Sequence, residues 1–122
     1  MGHDDEPLPR LDHENLDVYR CSLEFLRLAM RVLSSLPRGE SELRAQIKSA
    51  ATSITVNIAE GAGKPSPADR ARFHAIARGS AMECAAWLDV CAIAGHASEQ
   101  DAREGKRLLI RIVSMLTRMC RQ

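Results

Sequence analysis

Aromatic residues are scarce in this chain: two Phe, one Trp and one Tyr among 122 residues. Leu, Ile, Val and Ala must therefore do the packing, which suits helices better than a sandwich. Long alternating β-branched runs are also missing, which argues against a sheet. No apolar run approaches the roughly 20 residues needed to span a bilayer, so no membrane segment is expected. The opening MGHDDEPLPRLDHEN is acidic and has no apolar core, unlike a signal peptide. The four cysteines, Cys21, Cys84, Cys91 and Cys120, form no CxxC pair. Cys84 and Cys91 lie seven residues apart, on one helical face but too distant to bridge. Reduced, mostly buried thiols in a cytoplasmic protein are the expectation.

Catalytic and metal-binding patterns are equally sparse. His3 and His13 belong to the N-terminal stretch, and neither His74 nor His96 forms an HxxxH or HExxH pattern. A metal site built on His74, Cys84 or Cys91 would need a ligand from another helix. Ser80 has no His or Lys placed to activate it as a nucleophile. The expectation is no enzyme, no metal and no cofactor.

What is present is helical punctuation. At 122 residues the chain has the size of one domain. Residues 1–14 hold two prolines, several charges and no periodicity, and read as a flexible acidic arm. Residues 15–121 read as four helices. Helix 1 starts near Asn15 and stops before Pro37. Helix 2 spans about Glu40 to Glu60, and Gly61 and Gly63 supply positions free to take positive φ, a common way for helices to end. After Pro65, Ser66 caps helix 3, with Pro67 in the first turn and Asp69 as the capping-box partner. Helix 3 ends near Ala94, before Gly95-His96. Ser98 with Asp101 repeats the capping pattern and opens helix 4, from about Glu99 to Met119, with Gly105 as a weak spot. Short links between long helices give an antiparallel up-down-up-down four-helix bundle. Helices 1 and 4 carry more apolar positions than one buried face requires, which points to self-association.

The stretch Thr55–Cys84 concentrates polar and small residues. Asn57 and Glu60 sit on the last turn of helix 2, and Glu83 lies one turn past Gly79-Ser80. Along the axes, Glu83 is about 24 Å from the turn and Asn57 about 6 Å. A carboxylate pair of Glu60 and Glu83 is therefore excluded within one chain. Glu83 should instead meet Lys48 or Arg44. Asn57 and Glu60 either fix the hinge through backbone or cross-helix bonds or line a ligand or RNA site there. Gly79, Ser80 and Ala81 should permit close helix approach.

Charge is unevenly spread. The net charge is +1, yet residues 1–20 hold six acids and two bases, whereas the remainder holds ten acids and fifteen bases. On helix 4, Arg103, Arg107, Arg111, Arg118 and Arg121 fall on one face, flanked by Lys106. One reading is a polyanion-binding stripe for RNA or DNA. The other is a solvated face, paired with Glu24, Glu40 or Glu42 or with the acidic arm. Without aromatic stacking residues, base-specific or single-strand readout is not expected, and Trp87 and Tyr19 are assigned to the core.

Three runs carry a family resemblance: Leu16-Asp17-Val18-Tyr19, Ser53-Ile54-Thr55-Val56-Asn57-Ile58-Ala59-Glu60-Gly61, and Ile76-Ala77-Arg78-Gly79-Ser80-Ala81-Met82-Glu83. Over about residues 15–120 the chain resembles the bacterial four-helix-bundle family named for proteins encoded in intervening sequences of 23S rRNA genes. The accessory variability proteins of diversity-generating retroelements look like relatives. The resemblance implies an antiparallel four-helix bundle that assembles as a homopentameric ring and has no known enzymatic activity. It also implies RNA or DNA as a partner, since the retroelement relatives work with a reverse transcriptase and RNA, while the broad apolar helices 1 and 4 point to a protein partner. The chain departs from the usual pattern at Lys48-Ser49, where Arg-Ala is typical, and its basic surface is less dense than that of those relatives.

Overall fold

A computed structural model describes residues 5–121. Residues 1–4 of the expected arm, His3 among them, lie outside the described residues. The elements are a 3-10 turn at Asp12–Asn15 and four helices: α1 (Asp17–Ser34), α2 (Ser41–Ala62), α3 (Pro67–Ile93) and α4 (Glu99–Cys120). Each helix packs against its neighbours in chain order, and α4 closes back on α1.

Contacts at two heights on each seam show that adjacent helices run antiparallel. Between α1 and α2, Thr55 Oγ1 donates to Ser22 Oγ at 3.0 Å, and farther along Arg44 Nη2 donates to the Leu36 carbonyl at 3.2 Å. Ser53 and Ser80 share a 2.7 Å hydroxyl contact on the α2–α3 seam, while Gly61 lies against His74 nearer the link. Between α3 and α4, Arg78 Nε donates to Thr117 Oγ1 and Lys106 Nζ to Asp89 Oδ1, both at 2.8 Å. Cys21 meets the Leu108 carbonyl at 3.7 Å, and Arg31 meets Asp101 at 3.6 Å, which orients α4 on α1.

The core lies where the four inward stripes meet. Phe25, Leu28, Ile54, Ile58, Leu109, Ile112 and Leu116 are its largest fully buried apolar side chains. Full burial of such a side chain contributes about 1.5–3 kcal/mol, so this layer dominates the stability of the monomer.

Local chemistry explains the boundaries. Ser66 Oγ accepts from the Asp69 backbone N–H at 3.4 Å, and Ser98 Oγ accepts from that of Asp101 at 3.0 Å, so both expected caps form. Helix α3 ends in a Schellman motif, with His96 N–H on the Cys91 carbonyl at 2.8 Å and Gly95 N–H on the Ala92 carbonyl at 3.2 Å. Gly95 takes φ 76°, the positive value this closure needs, and is alone in doing so among the described residues.

Two glycines behave differently from expectation. Gly61 does not end α2. It is buried inside the helix, and a Cβ there would lie 2.8 Å from His74 Nε2 and 3.2 Å from Phe73 Cβ. It is a close-approach residue, and the helix ends at Ala62 without positive φ, since the capping Gly63 has φ −83°. Gly105 is likewise no weak spot, because a Cβ there would meet Leu88 Cδ1 at 2.6 Å and Leu28 Cδ2 at 3.2 Å. The arm boundary also shifts. Asn15 lies in the 3-10 turn, Leu16 precedes α1, and the turn packs against both α1 and α2. His13 stacks edge-on against Tyr19 with ring centroids 4.7 Å apart, so residues 12–15 join the fold.

Candidate functional site

The α4 stripe is a real surface. Arg103, Arg107, Arg111, Arg118 and Arg121 are all exposed, and Lys106 is half-buried. From Arg103 to Arg121 the helix rises about 27 Å. The buried residues Leu108, Leu109, Ile112 and Leu116 hold the opposite face in the core, which fixes the arginines outward. Two of the bases are partly neutralised: Lys106 pairs with Asp89 at 2.8 Å and Arg107 with Glu104 at 2.5 Å. Arg118 donates to Ser114 Oγ at 3.2 Å. Among the described residues, Arg103, Arg111 and Arg121 have no carboxylate within ion-pair distance. Glu40 pairs with His96 at 3.6 Å rather than with the stripe, and neither Glu24 nor Glu42 reaches it. Arg103, Lys106, Arg107, Ile110 and Arg111 frame an open depression of about 410 Å³, with Ile110 63% exposed in their midst.

The polar residues near the α2–α3 link are dispersed. Asn57 Nδ2 donates to the Ser53 carbonyl at 2.8 Å and to Ser53 Oγ at 3.0 Å, and Ser53 in turn meets Ser80. This small network ties α2 to α3. Glu60 points outward and pairs with Lys64 at 3.6 Å. Glu83 accepts from Trp87 Nε1 at 3.1 Å, one turn along its own helix, and not from Lys48 or Arg44. The network's short hydroxyls cannot span to Glu83 on the outer face of α3, so Asn57, Glu60 and Glu83 form no common pocket. Gly79 is exposed, and a Cβ there would meet nothing within 4 Å, so it makes no close approach within the chain. Ala81, fully buried, does.

His74 belongs in this region and its role was not evident from spacing. It is 95% buried by the complement of its 5% exposure, and both ring nitrogens lack a hydrogen-bond partner in the described structure. Desolvation, reinforced by the Arg70 charge, pushes its pKa below the ordinary 6.5. The absence of a Cβ at Gly61 makes room for its ring.

The surplus apolar surface is not where counting placed it. Helix α1 buries Val18, Cys21, Phe25, Leu28, Ala29, Val32 and Leu33, and leaves only Met30 among its large apolar side chains exposed. On α4 only Ile110 is exposed. Helix α3 instead exposes Ile76, Met82, Val90 and Ile93, the last at 89%. Ala75, Gly79, Met82, Ala86 and Ile93 follow one another at helical spacing on its outer face. On α2, Val56 is 60% exposed.

No cluster of three or more His, Cys, Asp or Glu side chains suited to a metal exists among the described residues. None of their helices is long and apolar enough to cross a membrane. Burial pushes the Cys84 thiol up to about 12, helped by the neighbouring Glu83 charge, and raises Cys21 and Cys91 too. Burial thus disfavours the thiolate form of all three, and they pack in the core.

Comparison with known proteins places this geometry in a family. A crystal structure of a protein with unknown function from the S23 ribosomal protein family of Bacteroides thetaiotaomicron superposes with a TM-score of 0.80 at 24% identity, covering 86% of this chain and 99% of that one. At that identity the likeness shows the shared helical fold. No curated protein matches the chain. The family model of 23S rRNA-intervening sequence proteins matches residues 14–118, all but the last two residues of the bundle, and the chain belongs to that family.

Proposed function

We propose that the protein is a non-enzymatic, homo-oligomeric helical bundle that acts as a cytoplasmic scaffold or interaction module. The observation that carries this reading is the outer face of α3, where Met82, Val90 and Ile93 are exposed beside Ala75, Gly79 and Ala86. A soluble monomer seldom leaves so continuous an apolar strip in water. The small residues on it let a neighbouring helix approach closely. Contact between unlike surfaces that closes upon itself gives a ring, and five copies is the number the family resemblance implies. Light scattering after size exclusion tests the assembly. The expected mass at micromolar concentration is five-fold the 13.5 kDa of one chain, and a monomer would refute the reading.

A second reading, an RNA- or DNA-binding ring, is favoured by the four exposed arginines of α4 and Arg121 just after it. Repeated around a ring, they would multiply into a broad positive band suited to phosphates without reading bases. Titration of generic double-stranded RNA against salt tests it. Binding at about 50 mM salt that fades steeply by about 200 mM is expected, and no binding at the lower salt would remove it.

A further inference from the structure

We infer that the acidic N-terminal segment of one copy, residues 5–11, docks in the groove between α3 and α4 of a second copy. The groove is an open trough of about 330 Å³ floored by Met82, Ala85, Leu109, Ile110 and Val113. Lys106 stands at its edge, and Ile110 joins it to the depression framed by Arg103, Arg107 and Arg111. It therefore presents an apolar floor whose lysine is paired with Asp89, next to a depression where Arg103 and Arg111 have no carboxylate partner among the described residues.

The segment has the complementary chemistry. Asp5 and Glu6 supply negative charge ahead of Leu8 and Leu11, which are 87% and 64% exposed in the isolated fold, and Arg10 between the leucines leaves the segment a net −1 with its acids at one end. Pro7 and Pro9 hold the residues before them extended. Leu11 itself has φ −78° and ψ 157°, a polyproline II conformation. That helix has three residues per turn, so Leu8 and Leu11 share one edge, with Asp5 and Glu6 in a turn ahead of them. Residues 7–11 span about 16 Å at ~3.1 Å each, close to the ~17 Å that α4 rises between Arg103 and Ser114. The prolines also reduce the conformational entropy lost on docking. Arg103 and Arg111, which have no carboxylate partner in the described fold, gain one in Asp5 and Glu6.

The occupant comes from another copy because of where the segment leaves. The 3-10 turn that follows it packs on α1 and α2, across the bundle from the α3–α4 groove. Docking places carboxylates over the α4 arginines, so the segment would compete with any phosphate polymer for that face. The inference rests on self-association only in needing two copies to meet.

The test uses the full chain with Leu8→p-benzoylphenylalanine, mixing isotopically heavy and light copies before irradiation. Mass spectrometry then reads which peptides cross-link and whether they join heavy to light. Expected are heavy–light cross-links to the peptide containing Ile110. Their yield should fall several-fold in Ile110→Asp, and also when salt is raised from about 50 mM to about 0.5 M. Ile110 is exposed, and the Asp5→Lys, Glu6→Lys double variant provides a second loss that leaves the bundle untouched. Cross-links confined to single chains, cross-links to α2, cross-links insensitive to both variants, or none at all would overturn the inference. Light scattering on the same samples distinguishes a failed docking, with the assembly intact, from a failure to self-associate.

Discussion

Helices α4 and α3 lie side by side and solve the problem of burial differently. On α4 the inward side is Leu108, Leu109, Ile112 and Leu116, and the outward side is mostly arginine. On α3 the inward side is Ala77, Ala81, Cys84, Leu88 and Cys91, yet the outward side carries Ile76, Met82, Val90 and Ile93. Helix α1 follows α4, with its large apolar residues almost wholly inside. Helix α2 follows α3 more weakly, through Val56. A helix that is two-faced is satisfied by one core, whereas a helix apolar on both sides needs a second. The bundle thus has a finished side and an unfinished one, and the proposed assembly surface lies on the latter.

The largest expected effect breaks that contrast directly. Met82→Glu combined with Ala86→Glu should convert the assembly to monomers that retain their helical circular dichroism, because both residues are exposed in the isolated fold. The matching change on α1, Met30→Glu, should leave the mass unaltered. Equal dissociation by both would show that the two sides do not differ.

A smaller effect concerns the seam between α2 and α3. Gly61→Ala should destabilise the fold by about 1–3 kcal/mol in urea unfolding, since the new methyl would press on the buried His74 ring and on Phe73. Gly79→Ala, on the same helix pair but facing outward, should instead raise monomer stability by about 0.5–1 kcal/mol through helix propensity. A loss at Gly79 comparable to that at Gly61 would mean that Gly79 is already crowded.

His74 adds a pH dependence confined to that seam. The fold holds its neutral form, so its folded pKa lies below the unfolded 6.5. Its contribution to stability is fully present above about pH 6.5 and is lost as pH falls below that value, when the unfolded chain takes up a proton that the fold resists. The melting temperature should therefore drop more between pH 7.5 and about pH 5 in the wild type than in His74→Leu. Parallel pH profiles for the two proteins would contradict this.

Much of the fold was legible because its signals are local. Ser66 with Asp69, Ser98 with Asp101 and Gly95 after α3 each act through backbone groups a few residues away. Gly61 was misread for a physical reason: a glycine that ends a helix and a glycine that admits a neighbour's ring have the same local context, and only the position of His74 separates them. The arginine stripe could be read from spacing alone. The partners of Glu83 and of Glu40 could not, since they depend on rotamers and on how far neighbouring helices stand apart. The apolar surplus was assigned to helices 1 and 4 by counting apolar positions, although what matters is whether those positions leave a polar face. The signal was present in α3, where small and apolar residues occur all round the helix between Ala75 and Ile93.

Methionine oxidation offers the most direct measurement. Met30 on α1 is 37% exposed and Met82 on α3 is 53% exposed in the single chain. If the outer face of α3 is covered in the assembly, hydroxyl-radical footprinting at micromolar concentration should oxidise Met30 faster than Met82, reversing the order set by their exposure in the fold. Met82 oxidising as fast as Met30, or faster, would contradict the account.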